Sequence, residues 1–269
     1  MTRLVCIDVD GTLVGSSGEV PPATWAATDH LRALGVRLAV CSGRPAFGVA
    51  LEYARRLDAS GWHIFQNGAS VVRLPDGETR SRPLPAPAVA ALIRRARTAG
   101  QVLELYTDTG YAVESTLPRA VQHAALLGVP FQRRPLDALH GTVVRAQWVV
   151  SHAEAEVIVA EPHDGVTIAV STSPLMPDTA FVGVTAAGTD KGDALRRVAS
   201  EYGFPLAAVM MVGDSDNDIT AMRLAGRAIA MGNAEPGVIA VADTVVGHVD
   251  QGGLVEALAL AAGGVAQRN

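Results

Sequence analysis

A short apolar run, Leu4-Val5-Cys6-Ile7, stops on Asp8-Val9-Asp10-Gly11-Thr12. Such a run reads as a strand buried on both faces, the kind found inside a parallel sheet. An ionised carboxylate at the exit of a buried strand needs a cation, several hydrogen bonds or a chemical task. Side chains two apart on a strand share a face roughly 7 Å apart. Asp8 and Asp10 are therefore expected to point into one site, with Gly11 letting the backbone bend away. The pattern recurs twice. Val36–Cys41 is followed by Ser42-Gly43-Arg44, and Val209–Val212 by Gly213-Asp214-Ser215-Asp216-Asn217-Asp218.

Amphipathic stretches predict helices over about 24–34, from Pro45 to about 59, and over about 191–202, 217–225 and 254–262, with further strands near 63–66 and 228–231. Pro45 is placed in the first turn of its helix, where a missing N–H is tolerated. Strands alternating with helices predict an α/β fold with a Rossmann-like, doubly wound, mostly parallel sheet covered on both faces. The middle of the chain reads otherwise. Helices over about 89–99 and 119–127 and from His152 mix with strands over about 102–106, 111–113, 143–150, 166–170 and 180–184. Several of these strands follow one another directly, which predicts an inserted α+β cap domain over 84–183. Residues 1–83 and 184–269 then form one discontinuous core domain. Pro83–Pro87 and Pro174–Asp178 mark the expected hinge neighbourhoods, and the Ala/Gly-rich tail after Leu258 is expected to fray.

At 269 residues, 49% hydrophobic and 18% charged, the chain can bury a sizeable globular core. A net charge of −5 with no dense Lys/Arg cluster argues against nucleic acid as a partner. No stretch of about 20 apolar residues is present, which argues against a membrane span. The brief apolar run before Asp8 argues against a signal peptide. Cys6 and Cys41 are too few for a disulfide framework and lack zinc-ligand spacing, so they read as small buried hydrophobes. A reduced, cytoplasmic setting is the expectation. Oligomeric state is not readable.

Asp214, Asp216 and Asp218 crowd together, and carboxylates this close repel one another unless a cation is present. A helix-loop-helix calcium loop would need Gly and Glu where Ile219 and Ala225 stand, so that reading fails. Oxygen ligands supplied sparsely from separate strand ends suit Mg²⁺, which keeps waters and favours a phosphate partner. A helix N-cap with extra acid against the dipole explains one or two of the three carboxylates. Ser42-Gly43-Arg44-Pro45 can receive an anion at a helix N-terminus or simply supply a Ser cap. Lys191 falls in the first turn of a helix, where the macrodipole disfavours a cation by about 0.3–1 kcal/mol. An anionic partner or a swing into solvent would each account for it.

In order along the chain, Asp8-Val9-Asp10-Gly11-Thr12, Ser42-Gly43-Arg44, Lys191 and Gly213-Asp214…Asn217-Asp218 resemble the four signature motifs of the haloacid dehalogenase (HAD) superfamily. Asn67-Gly68-Ala69, Met231-Gly232-Asn233-Ala234 and the Asp250…Gly253-Leu254 segment resemble its Cof-like branch of sugar-phosphatase-type hydrolases, which carries a large α+β cap. Ser215 stands where many relatives have Gly. The resemblance implies that Asp8 is a nucleophile forming an aspartyl-phosphate and that Asp10 is the acid, then the base. It implies Mg²⁺ held by Asp8, the Asp10 backbone carbonyl and Asp214, with Asp218 in or just behind that set. Thr12, Ser42, Gly43, Lys191 and Asn217 would surround the phosphoryl group, and Arg44 would lie near the substrate. The metal and Lys191 should keep Asp8 ionised, with no such direct partner for Asp10. Superfamily dehalogenases lack an acid two residues after the nucleophile, so Asp10 puts the chain on the phosphate-handling side.

The expected function is Mg²⁺-dependent hydrolysis of a small phosphate ester, a sugar phosphate ahead of pyridoxal phosphate or flavin mononucleotide, with cap movement to exclude water. A phosphomutase of the phosphomannomutase type is the alternative, with a second phosphate site drawn from Arg119, Arg133, Arg134 or Arg145. A non-catalytic metabolite-binding protein of the same fold is the other. Tyr106, Asp108, Tyr111 and His140 are polar or aromatic enough to line a pocket.

Overall fold

The computed structural model describes residues 1–173 and 175–263, so Pro174 and the last six residues of the tail lie outside the described residues. The chain divides into two units. Unit 1 comprises residues 1–44, 50–80 and 190 onward, and unit 2 comprises residues 45–49 and 81–189. From the N-terminus come β1 (Leu4–Ile7), α1 (Pro22–Ala33), β2 (Arg37–Val40), α2 (Val49–Asp58), β3 (Trp62–Phe65) and β4 (Ser70–Arg73). Unit 2 supplies α3 (Ala86–Ala99), β5 (Leu103–Tyr106), β6 (Tyr111–Val113), α4 (Pro118–Leu126), β7 (Arg145–Val150), α5 (His152–Ala160), β8 (Val166–Ser173) and β9 (Met176–Ala186). Unit 1 resumes with α6 (Lys191–Glu201), β10 (Val209–Gly213), α7 (Ile219–Leu224), β11 (Arg227–Ala230), α8 (Pro236–Ile239), β12 (Thr244–Val245) and α9 (Gly253–Gly263).

The main sheet of unit 1 is wholly parallel, in the order β12-β11-β10-β1-β2. Every residue of β1 is fully buried. Leu4 and Cys6 join Ala194, Leu195 and Val198 of α6 in one core. Alternate strand residues fill the other face, where α1 and α9 pack on each other and against β2 and β10. The doubly wound parallel sheet is thus as the sequence predicts. Both cysteines are buried and unbridged, and burial pushes the Cys6 thiol up to about 12. No helix among the described residues is long and apolar enough to cross a membrane.

Two expectations are corrected. The helix expected from Pro45 begins only at Val49, so Ser42-Gly43-Arg44 does not open a helix. Residues 42–44 pair instead with the chain leaving β3: Ser42 N donates to Ile64 O, Gln66 N to Arg44 O, and Asn67 N to Ser42 O. Gly48, at φ +62°, turns the chain before the helix starts. The hinge expected at Pro174–Asp178 is also displaced. Pro177 lies within β9, which runs on to Ala186 beside β8, and the units change only between Thr189 and Asp190. Pro177 lies near the start of its strand, a place where strands admit proline, and Pro174 lies outside the described residues.

Unit 2 is a five-stranded antiparallel sheet, β6-β5-β7-β9-β8, and fits the predicted α+β insert. One face packs Leu103, Leu105, Trp148 and Val182 against Ile93 of α3 and Ile158 of α5. The aromatic residues considered for a pocket are largely structural here. Tyr106 is buried, its hydroxyl donates to the buried Glu104, and its ring stacks with Tyr111 and Phe47 at centroid distances of 5.8 and 6.3 Å. Asp108 accepts from Ser81 Oγ at 2.7 Å, and His140 is exposed.

His63 on β3 supplies a pH-sensitive element of unit 1. Its Nδ1 accepts from Val40 N at 3.1 Å and its Nε2 lies 2.9 Å from Asp58 O, an arrangement that only the neutral Nε2–H tautomer satisfies. Burial is the main cause that lowers its pKa from 6.5 to about 4. A histidine depressed in the folded state contributes stability above its unfolded pKa and loses it as pH falls through the folded value. Between pH 6.5 and about 4 this group should remove on the order of 3 kcal/mol of stability. Urea denaturation across that window, run on wild type and His63→Gln, should show a flatter pH dependence in the variant. Equal slopes would refute the assignment.

Candidate active site

In an open parallel sheet, ligands bind beyond the carboxyl ends of the strands, where the strand order reverses direction. Here the chain leaves β1 toward β2 on one side and later fills β10, β11 and β12 on the other. The reversal therefore falls between β1 and β10, which end directly before Asp8 and Asp214. Asp8 N still donates to Val212 O, which carries the ladder one residue past the strand.

Asp8 is only 4% exposed and Lys191 is fully buried. Lys191 Nζ donates to Asp8 Oδ1 at 2.7 Å and to Asp218 Oδ1 at 2.6 Å. Asp190 caps α6 by accepting from Asp193 N, which fixes the first turn and with it the lysine. The anionic partner expected for Lys191 is thus a pair of the chain's own carboxylates. Burial works against its ammonium, but Asp218 and Asp8 outweigh burial and hold its pKa above the ordinary lysine value. Asp8 is pushed well above the usual carboxylate range, chiefly by burial, with Asp218 and Asp214 adding to it and Lys191 opposing.

Asp218 is fully used as well. Its Oδ2 accepts from Asp214 N at 3.0 Å and Ser215 N at 3.2 Å, so it shapes the loop after β10 while holding Lys191. Gly213 is required beneath it, since a Cβ there would lie 2.3 Å from Asp218 Oδ2. Asp214 Oδ1 accepts from Thr12 Oγ1 at 2.8 Å, and burial raises Asp214 to about 6. The Thr12 hydroxyl therefore points at a carboxylate.

Asp8, Asp214 and Asp218 each offer an oxygen within 4.8 Å of the others. Three carboxylates face one buried ammonium, an excess of negative charge that burial makes costly. A donor set made wholly of hard oxygens fits a small hard cation. This cluster could hold a metal ion.

Asp10 departs from expectation. Its side chain is 62% exposed, and Arg44 holds both its oxygens, Nε to Oδ2 at 2.9 Å and Nη2 to Oδ1 at 2.6 Å. Asp10 thus has a direct cationic partner, and the bond to Asp10 is the main reason Arg44 is raised above its ordinary value. Ser42 is buried and its Oγ accepts from Arg44 N. Asn217 Nδ2 donates to Asn67 Oδ1 at 3.1 Å, and a Cβ on Gly43 would lie 3.0 Å from that same oxygen. The residues predicted from the second and fourth motifs therefore meet at Asn67, which follows β3 at φ +53°. No role was foreseen for Asn67 or for Asn233, which donates to Gly11 O at 2.8 Å. Their only sequence signal was membership of the Asn67-Gly68-Ala69 and Met231-Gly232-Asn233-Ala234 motifs. All of these residues belong to unit 1.

Known proteins are similar to this chain over nearly their whole length. The HMP-PP phosphatase of Cronobacter sakazakii is 26% identical, covering 92% of this chain and 91% of that protein. A haloacid dehalogenase-like hydrolase from Bacteroides thetaiotaomicron superposes with a TM-score of 0.85 at 26% identity, over 97% of this chain and 99% of that one. The HAD subclass IIB sugar phosphatase BT4131 superposes with a TM-score of 0.79 at 25% identity, over 98% and 100% of the two chains. The sequence pattern of the haloacid dehalogenase-like hydrolases matches residues 5–258, and the chain belongs to that family.

Proposed function

We propose that this HAD-type phosphatase hydrolyses a small sugar phosphate, with Mg²⁺ as cofactor and Asp8 as the nucleophile. The observation that carries the reading is the gathering of Asp8, Asp214 and Asp218 around buried Lys191, with Asp10 on Arg44. In this reading unit 1 is the catalytic core expected over 1–83 and 184–269, and unit 2 is the cap expected over 84–183. Asp8, Asp214 and the Asp10 backbone carbonyl would hold Mg²⁺, with Asp218 fixing their loop. Mg²⁺, when bound, supplies positive charge that offsets the charge of the phosphoryl oxygens.

Asp8 attacks phosphorus, the ester P–O bond breaks, and Asp10 gives its proton to the departing alcohol oxygen. Water then attacks the aspartyl-phosphate, Asp10 takes a proton from it, and the bond to Asp8 breaks to release inorganic phosphate. Lys191 holds Asp8 in place for attack and offsets charge on the phosphoryl group. Ser42, Gly43, Thr12 and Asn217 surround that group in this reading. Both Asp10 oxygens are engaged by Arg44, so proton transfer requires the guanidinium to release at least one. An incoming phosphate dianion is a competing partner for Arg44. A mutase would need free cap cations; of the four candidates Arg119 pairs with Glu154, Arg133 donates to Glu114 O and Arg145 lies over the Tyr106 ring, which leaves Arg134.

Phosphate release from an aryl phosphate is expected with Mg²⁺, lost on chelation, restored by added Mg²⁺ and independent of any hexose-bisphosphate activator. A metabolite screen ranked by kcat/KM should place sugar monophosphates above diphosphates of the HMP-PP kind. Folded protein that binds Mg²⁺ yet releases no phosphate from any ester would overturn the proposal.

A further inference from the structure

Asn233, in the loop after β11, makes contacts that the proposed reaction does not yet use. Its Nδ2 donates to Gly11 O at 2.8 Å and lies 3.5 Å from Asp214 Oδ2, and its Oδ1 accepts from Val249 N at 2.9 Å. The amide has one orientation that satisfies these partners, because a carbonyl takes only the NH₂ and an N–H only the oxygen. Gly11 and Asp214 are close on their own account. Gly11 has φ +80°, and a Cβ there would lie 2.2 Å from Asp214 Oδ2. The Gly11 peptide follows directly on the Asp10 carbonyl, and the other Asp214 oxygen is taken by Thr12. One side-chain amide thus joins the turn after β1, the carboxylate after β10 and the 249–250 segment. That segment ties to the same turn a second time, where Ser16 N donates to Asp250 Oδ1 at 2.9 Å.

We infer that Asn233 is a positioning residue for the divalent cation, setting the Asp10 carbonyl and the Asp214 carboxylate at the separation the ion requires. The inference rests on the Mg²⁺ reading above. A neutral amide suits the task. It donates toward Asp214 without adding negative charge to a crowded site, and without the positive charge that would compete with the ion. Groups that orient metal ligands in this way typically change affinity by about 10–100-fold when removed.

The test is calorimetric titration of Mg²⁺ and Mn²⁺ into substrate-free, metal-free protein. Asn233→Ala should bind either ion about 10–100-fold more weakly than wild type, and the Mg²⁺ requirement of turnover should shift in parallel. Asp250→Ala cuts the Ser16 tie but leaves Asp214 untouched, and its metal affinity should stay within a few-fold of wild type. If Asn233→Ala does not fold, Asn233→Ser, too short to reach both partners, should show the same loss. Wild-type affinity in a folded Asn233 variant would overturn the inference, as would an equal loss in Asp250→Ala, which would trace the effect to a loosened turn. Wild-type protein that binds neither ion would instead overturn the Mg²⁺ reading beneath it.

Discussion

Asp8→Asn is expected to reduce phosphate release by about 10⁴-fold or more while leaving the protein folded. An amide in place of the carboxylate cannot form the aspartyl-phosphate, and no second carboxylate stands in its position. The fold should survive because of how charge is distributed. Lys191 bonds both Asp8 and Asp218, so the variant leaves a matched buried pair in place of one ammonium between two acids. Burial already holds the Asp8 carboxyl well above its ordinary range, so removing its charge relieves desolvation as well as losing a bond. The melting temperature should therefore stay close to that of wild type. The measurement is a single-turnover phosphate assay beside a thermal melt. More than about one part in a hundred of wild-type activity would be incompatible with Asp8 as nucleophile.

Lys191→Met should do the opposite in kind: it should destabilise the fold as well as abolish turnover. It strands Asp8 and Asp218 in the interior without their ammonium, a change that typically costs about 3–5 kcal/mol. The pH dependence gives the signature. A buried acid whose folded pKa is raised above its unfolded value contributes stability at low pH and loses it as pH rises through the folded value. Without Lys191 the pull that opposes burial at Asp8 is gone, so the deficit should be smallest in acid and grow toward neutrality. Urea midpoints for wild type and variant across an acid-to-neutral series would show it. A deficit that does not change with pH would mean that the carboxylates are not the source of the instability.

The strands were legible because a fully covered parallel strand has to be apolar along its whole length. Leu4–Ile7 and Val209–Val212 satisfy that condition and are buried throughout. The meeting of Asp8 and Asp214 was readable too, since residues at the exits of neighbouring parallel strands share one end of a sheet, whereas Lys191 opens α6 and was tied to them only by the family resemblance. The partners of individual side chains were not. Arg44 and Asp10 lie 34 residues apart, and only the folded loop brings the guanidinium fork onto the carboxylate. The start of α2 was misjudged because a proline tolerated in a first helical turn is equally at home in a loop. What decided it was the backbone pairing of residues 42–44 with residues 64–67, which no local pattern records. Asn67 and Asn233 went without roles for a similar reason: an amide gains meaning only from which donor and acceptor flank it.

The bonds that join the two chain ends span 183 residues from Asp8 to Lys191 and 202 from Thr12 to Asp214. β1 is synthesised about 200 residues before β10, yet the two are neighbours in the sheet. The antiparallel sheet of unit 2 is built from one contiguous stretch and can close as it is synthesised. Its host cannot. A nascent chain halted before β10 carries an apolar strand with one side uncovered, the kind of surface that recruits chaperones or self-associates. Long-range closure of this sort also slows folding relative to locally connected folds. The Asp8, Lys191 and Asp214 cluster comes together only after β10 has been synthesised and pairs with β1.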